Sequence, residues 1–124
     1  MFHAAEWNEA QFDSGQSAFS VEYDIVDSSY RLLHLDTNTF CSAGGFLKNG
    51  TLISTGGGEL KGRTWKAKEG WHSIRYFTPC EDGECQWSEY ETEQMTGNRW
   101  YPTVEQMPEV SPSQVESQRC RPHC

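Results

Sequence analysis

Short runs of alternating apolar and polar residues recur along this chain, the period of a half-buried strand, and no segment sustains helical apolar spacing with end caps. Ala18–Asp24 alternates around Val21 and Tyr23, Asp27-Ser28-Ser29 is turn material, and Tyr30–Leu35 reads as the return strand. Thr39–Leu47 and Thr51–Thr55 flank Lys48-Asn49-Gly50, and Asn-Gly between two apolar runs predicts a hairpin with a type I′ turn. Further strands are predicted at Ser73–Phe77 and Gln86–Tyr90, with another starting in Arg99–Glu105. Residues 1–17 are polar and without period, 59–70 read as a charged loop, and 108–124 read as an irregular or disordered tail. The predicted fold class is all-β.

A strand that ends in Gly56-Gly57-Gly58, then an aromatic strand holding Tyr76, then Trp87, is the order of a kelch-type propeller blade. On that pattern alone a generic antiparallel sheet with aromatic faces is the better reading.

Composition narrows the functional classes. Hydrophobic residues make up 35% of 124, with a mean hydropathy of −0.75, so any core is thin, although five Trp, five Tyr and six Phe suit half-buried sheet faces. A net charge of −8 with no basic stripe argues against nucleic acid as a partner. Nothing in the sequence is long and apolar enough to cross a membrane as a helix, and Met1–Trp7 does not read as a signal peptide. Five cysteines, at 41, 80, 85, 120 and 124, leave at least one without an intrachain disulfide partner.

Three stretches in order carry a family resemblance. They are Asn38–Leu47 with Asn49-Gly50-Thr51-Leu52 and the glycine run, then Ile74–Cys80 with Cys85-Gln86-Trp87, and last Arg99–Glu105. Together, from about Ala18 to Met107, they resemble the N-terminal catalytic region of the glyoxal oxidases, which are secreted copper-radical enzymes related to the galactose oxidases. The resemblance implies that residues 18–107 are a partial kelch-like β-propeller of about one blade plus edges of its neighbours. It also implies a reaction in which a small aldehyde and O2 yield a carboxylic acid and H2O2.

In this family a cysteine and a tyrosine are joined by a thioether, and that tyrosine binds copper and becomes a radical. Matched motif by motif, Cys41 and Tyr101 are the implied catalytic pair, with Tyr101 as the cofactor-binding and metal-ligating residue. Ring sulfur donates electron density that makes the phenol easier to oxidise. Copper and tyrosine then each change by one electron, which permits a two-electron oxidation. Without the resemblance, Cys41 would read as a small buried hydrophobe and Tyr101 as a packed ring.

Cys80 and Cys85, bracketing Glu81–Glu84, are candidates for a disulfide in an oxidising compartment. Asn49-Gly50-Thr51 is also a glycosylation tripeptide, although the turn accounts for it without a sugar. Cys120, His123 and Cys124 could bind metal only if the tail were held in place.

The family's second tyrosine and two histidines are expected downstream, and His3, His34, His72 and His123 do not lie in those motifs. The copper site is therefore expected to be incomplete and the chain inactive alone, although the family is extracellular. A competing reading is a non-catalytic kelch-like module that binds carbohydrate or protein through exposed Trp65, Trp71 and Trp87. A small disulfide-containing secreted protein is a third reading, disfavoured by the odd cysteine count and the missing signal. Sequence does not set the oligomeric state or the aldehyde.

Overall fold

The structure is a computed structural model that describes residues 9–58 and 67–107. Six strands are present: β1 (Ser20–Tyr23), β2 (Tyr30–Leu33), β3 (Ala43–Phe46), β4 (Leu52–Thr55), β5 (Ser73–Phe77) and β6 (Ser88–Gln94). The described residues contain no helix. β1 and β2 form a two-stranded hairpin, and β3-β4-β5-β6 form a four-stranded sheet in chain order. Every pairing is antiparallel. The all-β expectation is met.

The core lies between the hairpin and the sheet. Phe19, Leu33, Leu35, Phe77 and Trp87 form one cluster, with Leu52, Ala67 and Cys85 packed against it. The Phe77 and Trp87 rings stand 5.4 Å apart, and Trp87 Nε1 donates to Ser20 Oγ across the two sheets at 3.0 Å. Trp87 is therefore a core residue with its one polar atom satisfied, not an exposed binding ring. Trp71 is half-buried, and Trp65 lies outside the described residues. The aromatic surface expected for a binding module is not assembled from Trp71 and Trp87.

Three local expectations are corrected by the backbone. The 48–50 connection is not a type I′ turn, because Gly50 (φ 84) has positive φ and Asn49 does not. Gly50 N donates to Leu47 O at 2.9 Å and Leu47 N to Thr51 O at 2.8 Å, the arrangement of a three-residue loop with a glycine bulge. Thr39–Ser42 is a turn and not the start of a strand, since Asn38 Oδ1 captures Phe40 N at 2.9 Å and Ser42 N returns to Thr39 O at 3.0 Å. Arg99–Glu105 forms no strand; Arg99 N and Tyr101 N donate to Trp71 O and Cys41 O, outside any ladder. Cys80 and Cys85 are joined in a disulfide.

Buried polar side chains outnumber buried apolar ones among the described residues, eleven to six, so hydrogen bonding organises much of the interior. Arg75 is its hub. The side chain is fully buried on β5, and Nε donates to Thr37 Oγ1 at 2.7 Å and Glu89 Oε1 at 3.2 Å. Nη1 donates to Gly56 O at 2.8 Å and Ser54 Oγ at 3.4 Å, and Nη2 to Asn38 O at 3.0 Å and Gly70 O at 3.5 Å. Burial pulls the guanidinium down to about 10 against the opposing attraction of Glu89, so it stays charged at neutral pH.

Arg75→Met removes the donor to the Asn38 and Gly56 carbonyls and the buried charge that faces Glu89, which keeps only Asp36 N and Thr37 Oγ1 as donors. The expected loss is about 3–5 kcal/mol of stability, seen as a lower urea midpoint. Arg75→Lys keeps the charge but not the planar fork, and is expected to lower the midpoint as well. An unchanged midpoint in Arg75→Met would contradict the role given to this network.

Candidate functional site

Cys41 and Tyr101 are 60 positions apart and meet at one end of the four-stranded sheet. Tyr101 N donates to Cys41 O at 3.0 Å. The phenol also lies close enough to the thiol to interact with it, and this contact, with the charge the thiol can carry, raises Tyr101 above the ordinary tyrosine range. Slight desolvation adds to the rise, while a hydrogen bond from Trp100 opposes it. Cys41 is a free, half-buried thiol and Tyr101 is exposed, so both can be reached from solvent.

Backbone conformation singles out the same two residues. Among the described residues, only Ser28, Cys41 and Tyr101 are non-glycine with positive φ. Ser28 belongs to a tight turn in which Asp27 Oδ1 accepts from Ser29 N at 2.8 Å. Cys41 (φ 63) and Tyr101 (φ 54) are not turn-favoured types, and such strain collects at functional positions.

The glycine run makes the meeting possible. Gly56 has φ 66, and a Cβ there would stand 2.7 Å from Arg99 O and 3.0 Å from Pro102 Cγ. A Cβ on Gly57 (φ 112) would stand 3.0 Å from Asn38 O and 3.1 Å from Thr39 Cα. One pair of glycines thus lies under both the turn that carries Cys41 and the segment that carries Tyr101. Gly57 N donates to Arg99 O at 3.1 Å, and Arg75 holds Gly56 O and Asn38 O from below. Phe40 and Trp100 meet edge-to-face at 6.3 Å and Trp100 tilts beside Tyr101 at 6.3 Å, giving the site an aromatic rim.

Sequence reasoning named Cys41 and Tyr101 but not Arg75, Asn38 or the Phe40–Trp100 pair. Arg75 carries no motif of its own; the only hint is a charged residue on the same strand face as Ser73 and Phe77, all three buried. No group of three or more His, Cys, Asp or Glu that could hold a metal occurs among the described residues. Cys120, His123, Cys124 and His3 lie outside them.

The comparisons with known proteins agree with the motifs. The sequence profile of the glyoxal oxidase N-terminus matches residues 4–115. This chain belongs to the glyoxal oxidase N-terminal domain family. It is 38% identical over 92 residues to aldehyde oxidase GLOX1 of Arabidopsis thaliana, covering 74% of this chain and 13% of that protein. It is 37% identical over 95 residues to aldehyde oxidase GLOX of Vitis pseudoreticulata, covering 76% of this chain and 16% of that protein. The chain thus spans only a small part of the curated relatives it matches. No solved structure matches significantly.

Two measurements test the site as built. The thiol contact favours the neutral phenol, so its contribution holds below the ordinary tyrosine range and is lost as pH rises past the raised value. In Cys41→Ala, NMR of ring-labelled tyrosine is expected to show Tyr101 ionising at lower pH; an unmoved titration would refute the contact. In Gly56→Ala the strained φ alone costs about 1–2 kcal/mol. Displacing Arg99–Pro102 should also make the Tyr101 titration insensitive to removal of Cys41.

Proposed function

We propose that this chain is the part of a glyoxal oxidase-like copper-radical oxidase that carries the cysteine and tyrosine of its thioether cofactor. Its four-stranded meander is read as one blade of a kelch-like propeller, with β1–β2 and the 99–107 segment as edges of neighbouring blades. The observation that supports this reading is the approach of Cys41 and Tyr101, side chain to side chain and backbone to backbone, in a family member.

The chemistry balances. Thioether formation joins Cys41 Sγ to a ring carbon of Tyr101, and one hydrogen leaves the thiol and one the ring; with O2 as acceptor the product is H2O2. The overall reaction converts an aldehyde, water and O2 into a carboxylic acid and H2O2. A bound copper ion would supply one of the two electron changes, and the Tyr101 phenol oxygen would be one of its ligands. Sulfur on the ring eases oxidation of the phenol, and the local backbone holds the phenol and the thiol together.

The other copper ligands are expected from outside the described residues, which gather no three-residue metal cluster. The chain by itself is therefore expected not to turn over aldehyde. An aldehyde is the proposed substrate, because both relatives are named as aldehyde oxidases. The Cys80–Cys85 disulfide supports an extracellular destination.

The test is a graft in which this chain's matched segment replaces its counterpart in the Vitis relative. Expected are aldehyde-dependent H2O2 production and a Cys41–Tyr101 linked peptide lighter by two hydrogens. Both should be lost in Cys41→Ser, and peroxide should fall to background in Tyr101→Phe. A graft that binds copper but leaves both residues unmodified and makes no peroxide would refute the assignment.

A further inference from the structure

The β3–β4 turn carries chemistry that the oxidase reading does not use. Asn49-Gly50-Thr51 is the chain's only Asn-x-Ser/Thr tripeptide, and its middle residue is not proline. We infer that Asn49 is an N-glycosylation site, an attachment point for an oligosaccharide at the end of the sheet opposite the Cys41–Tyr101 pair. The inference rests on the secretory destination proposed above but not on the copper chemistry.

Four observations place an acceptor here. Asn49 is exposed at the crest of the turn. Beside it, a Cβ built on Gly50 would meet nothing within 4 Å, so the space around the crest is open. Asn49 Oδ1 accepts the N–H of Thr51 at 3.1 Å, which draws electron density toward the oxygen and makes an Nδ2 proton easier to lose. Thr51 Oγ1 bonds Thr78 Oγ1 at 2.9 Å, two positions before Cys80, so the tripeptide and the Cys80–Cys85 disulfide share one end of the sheet. Cys41 precedes β3 and Asn49 follows it, so the strand separates a glycan from the candidate site.

The donor required is an oligosaccharide on a polyisoprenyl diphosphate. Asn49 Nδ2 forms a bond to C1 of the first sugar while the bond from C1 to the diphosphate oxygen breaks. One Nδ2 proton is released, the lipid diphosphate leaves, and nothing is oxidised or reduced.

The test translates the full chain behind a cleavable secretion leader in the presence of microsomes, with import scored by leader cleavage. The expected result is one glycosidase-sensitive gel shift and an intact glycopeptide containing Asn49. Asn-Gly sequences also deamidate spontaneously, so the glycopeptide itself, and not an aspartate at 49, is the readout. Asn49→Asp keeps an oxygen for the Thr51 N–H and is expected to abolish the shift; Thr51→Ser is expected to retain it. Imported chain with an unmodified Asn49 peptide overturns the inference. In that same material a mapped Cys80–Cys85 disulfide would leave the secretory reading standing, whereas free thiols would count against it.

Discussion

Arg75 reaches six acceptors from one strand, and it ties the Thr37–Asn38 and Gly70 segments, which lie outside the four-stranded ladder, to its sheet neighbours on β4 and β6. Asn38 and Thr37 lie before the Cys41 turn, Ser54 and Gly56 at the end of β4, Gly70 before β5, and Glu89 on β6. A guanidinium is the side chain suited to this task, because its five N–H groups lie in one plane and keep their charge. Burial works against that charge more strongly than Glu89 works for it. The network therefore contributes less through net attraction than through the cost of leaving any member unpaired, which makes one arrangement of these loops far better than its alternatives.

The candidate site inherits its geometry from that arrangement. Two of the carbonyls held by Arg75 lie where Cys41 and Tyr101 approach: Asn38 O opens the turn that carries Cys41, and Gly56 O sits beneath the segment that carries Tyr101. Gly56 and Gly57 then let both segments approach to distances that no side chain would permit. An apolar core of five residues could not fix these loops alone, since its cluster sits between the β1–β2 hairpin and the sheet, on the β1–β2 side. Burial holds the sheets together, and polar contacts position the chemistry.

Much of this was legible in the sequence, for identifiable reasons. Five of the six strands lie within predicted segments and β6 overlaps one, because apolar alternation and an Asn-Gly turn between apolar runs are local signals. β5 matches its predicted bounds, whereas β6 runs on to Gln94 through a polar edge that carries no apolar signal. The turn at 39–42 was not legible: Thr-Phe-Cys has strand propensity, and it bends because Asn38 offers its side chain to Phe40 N. Tyr101 and Cys41 were found only through motif resemblance, since neither residue type suggests a left-handed backbone. Arg75 was missed because acceptors from four separate segments define its role, and none of them is near it in sequence except Gly70.

The backbone strain at Cys41 and Tyr101 closes the physical argument. A left-handed conformation costs about 1–2 kcal/mol for a residue with a Cβ, and two such residues spend a large part of what a domain with a thin core can hold in reserve. Structures relieve that cost by placing Gly or Asn there unless the side chain itself is required. Here glycines occupy the positions beneath, at 56 and 57, while a thiol and a phenol occupy the strained positions above. A pairing needed only for packing would be served by an extended strand, as Thr-Phe-Cys and Arg-Trp-Tyr would otherwise favour. The fold instead bends both segments so that sulfur and phenol face each other. Retaining these two side chains at strained positions, in contact, is the physical reason to look for chemistry between them.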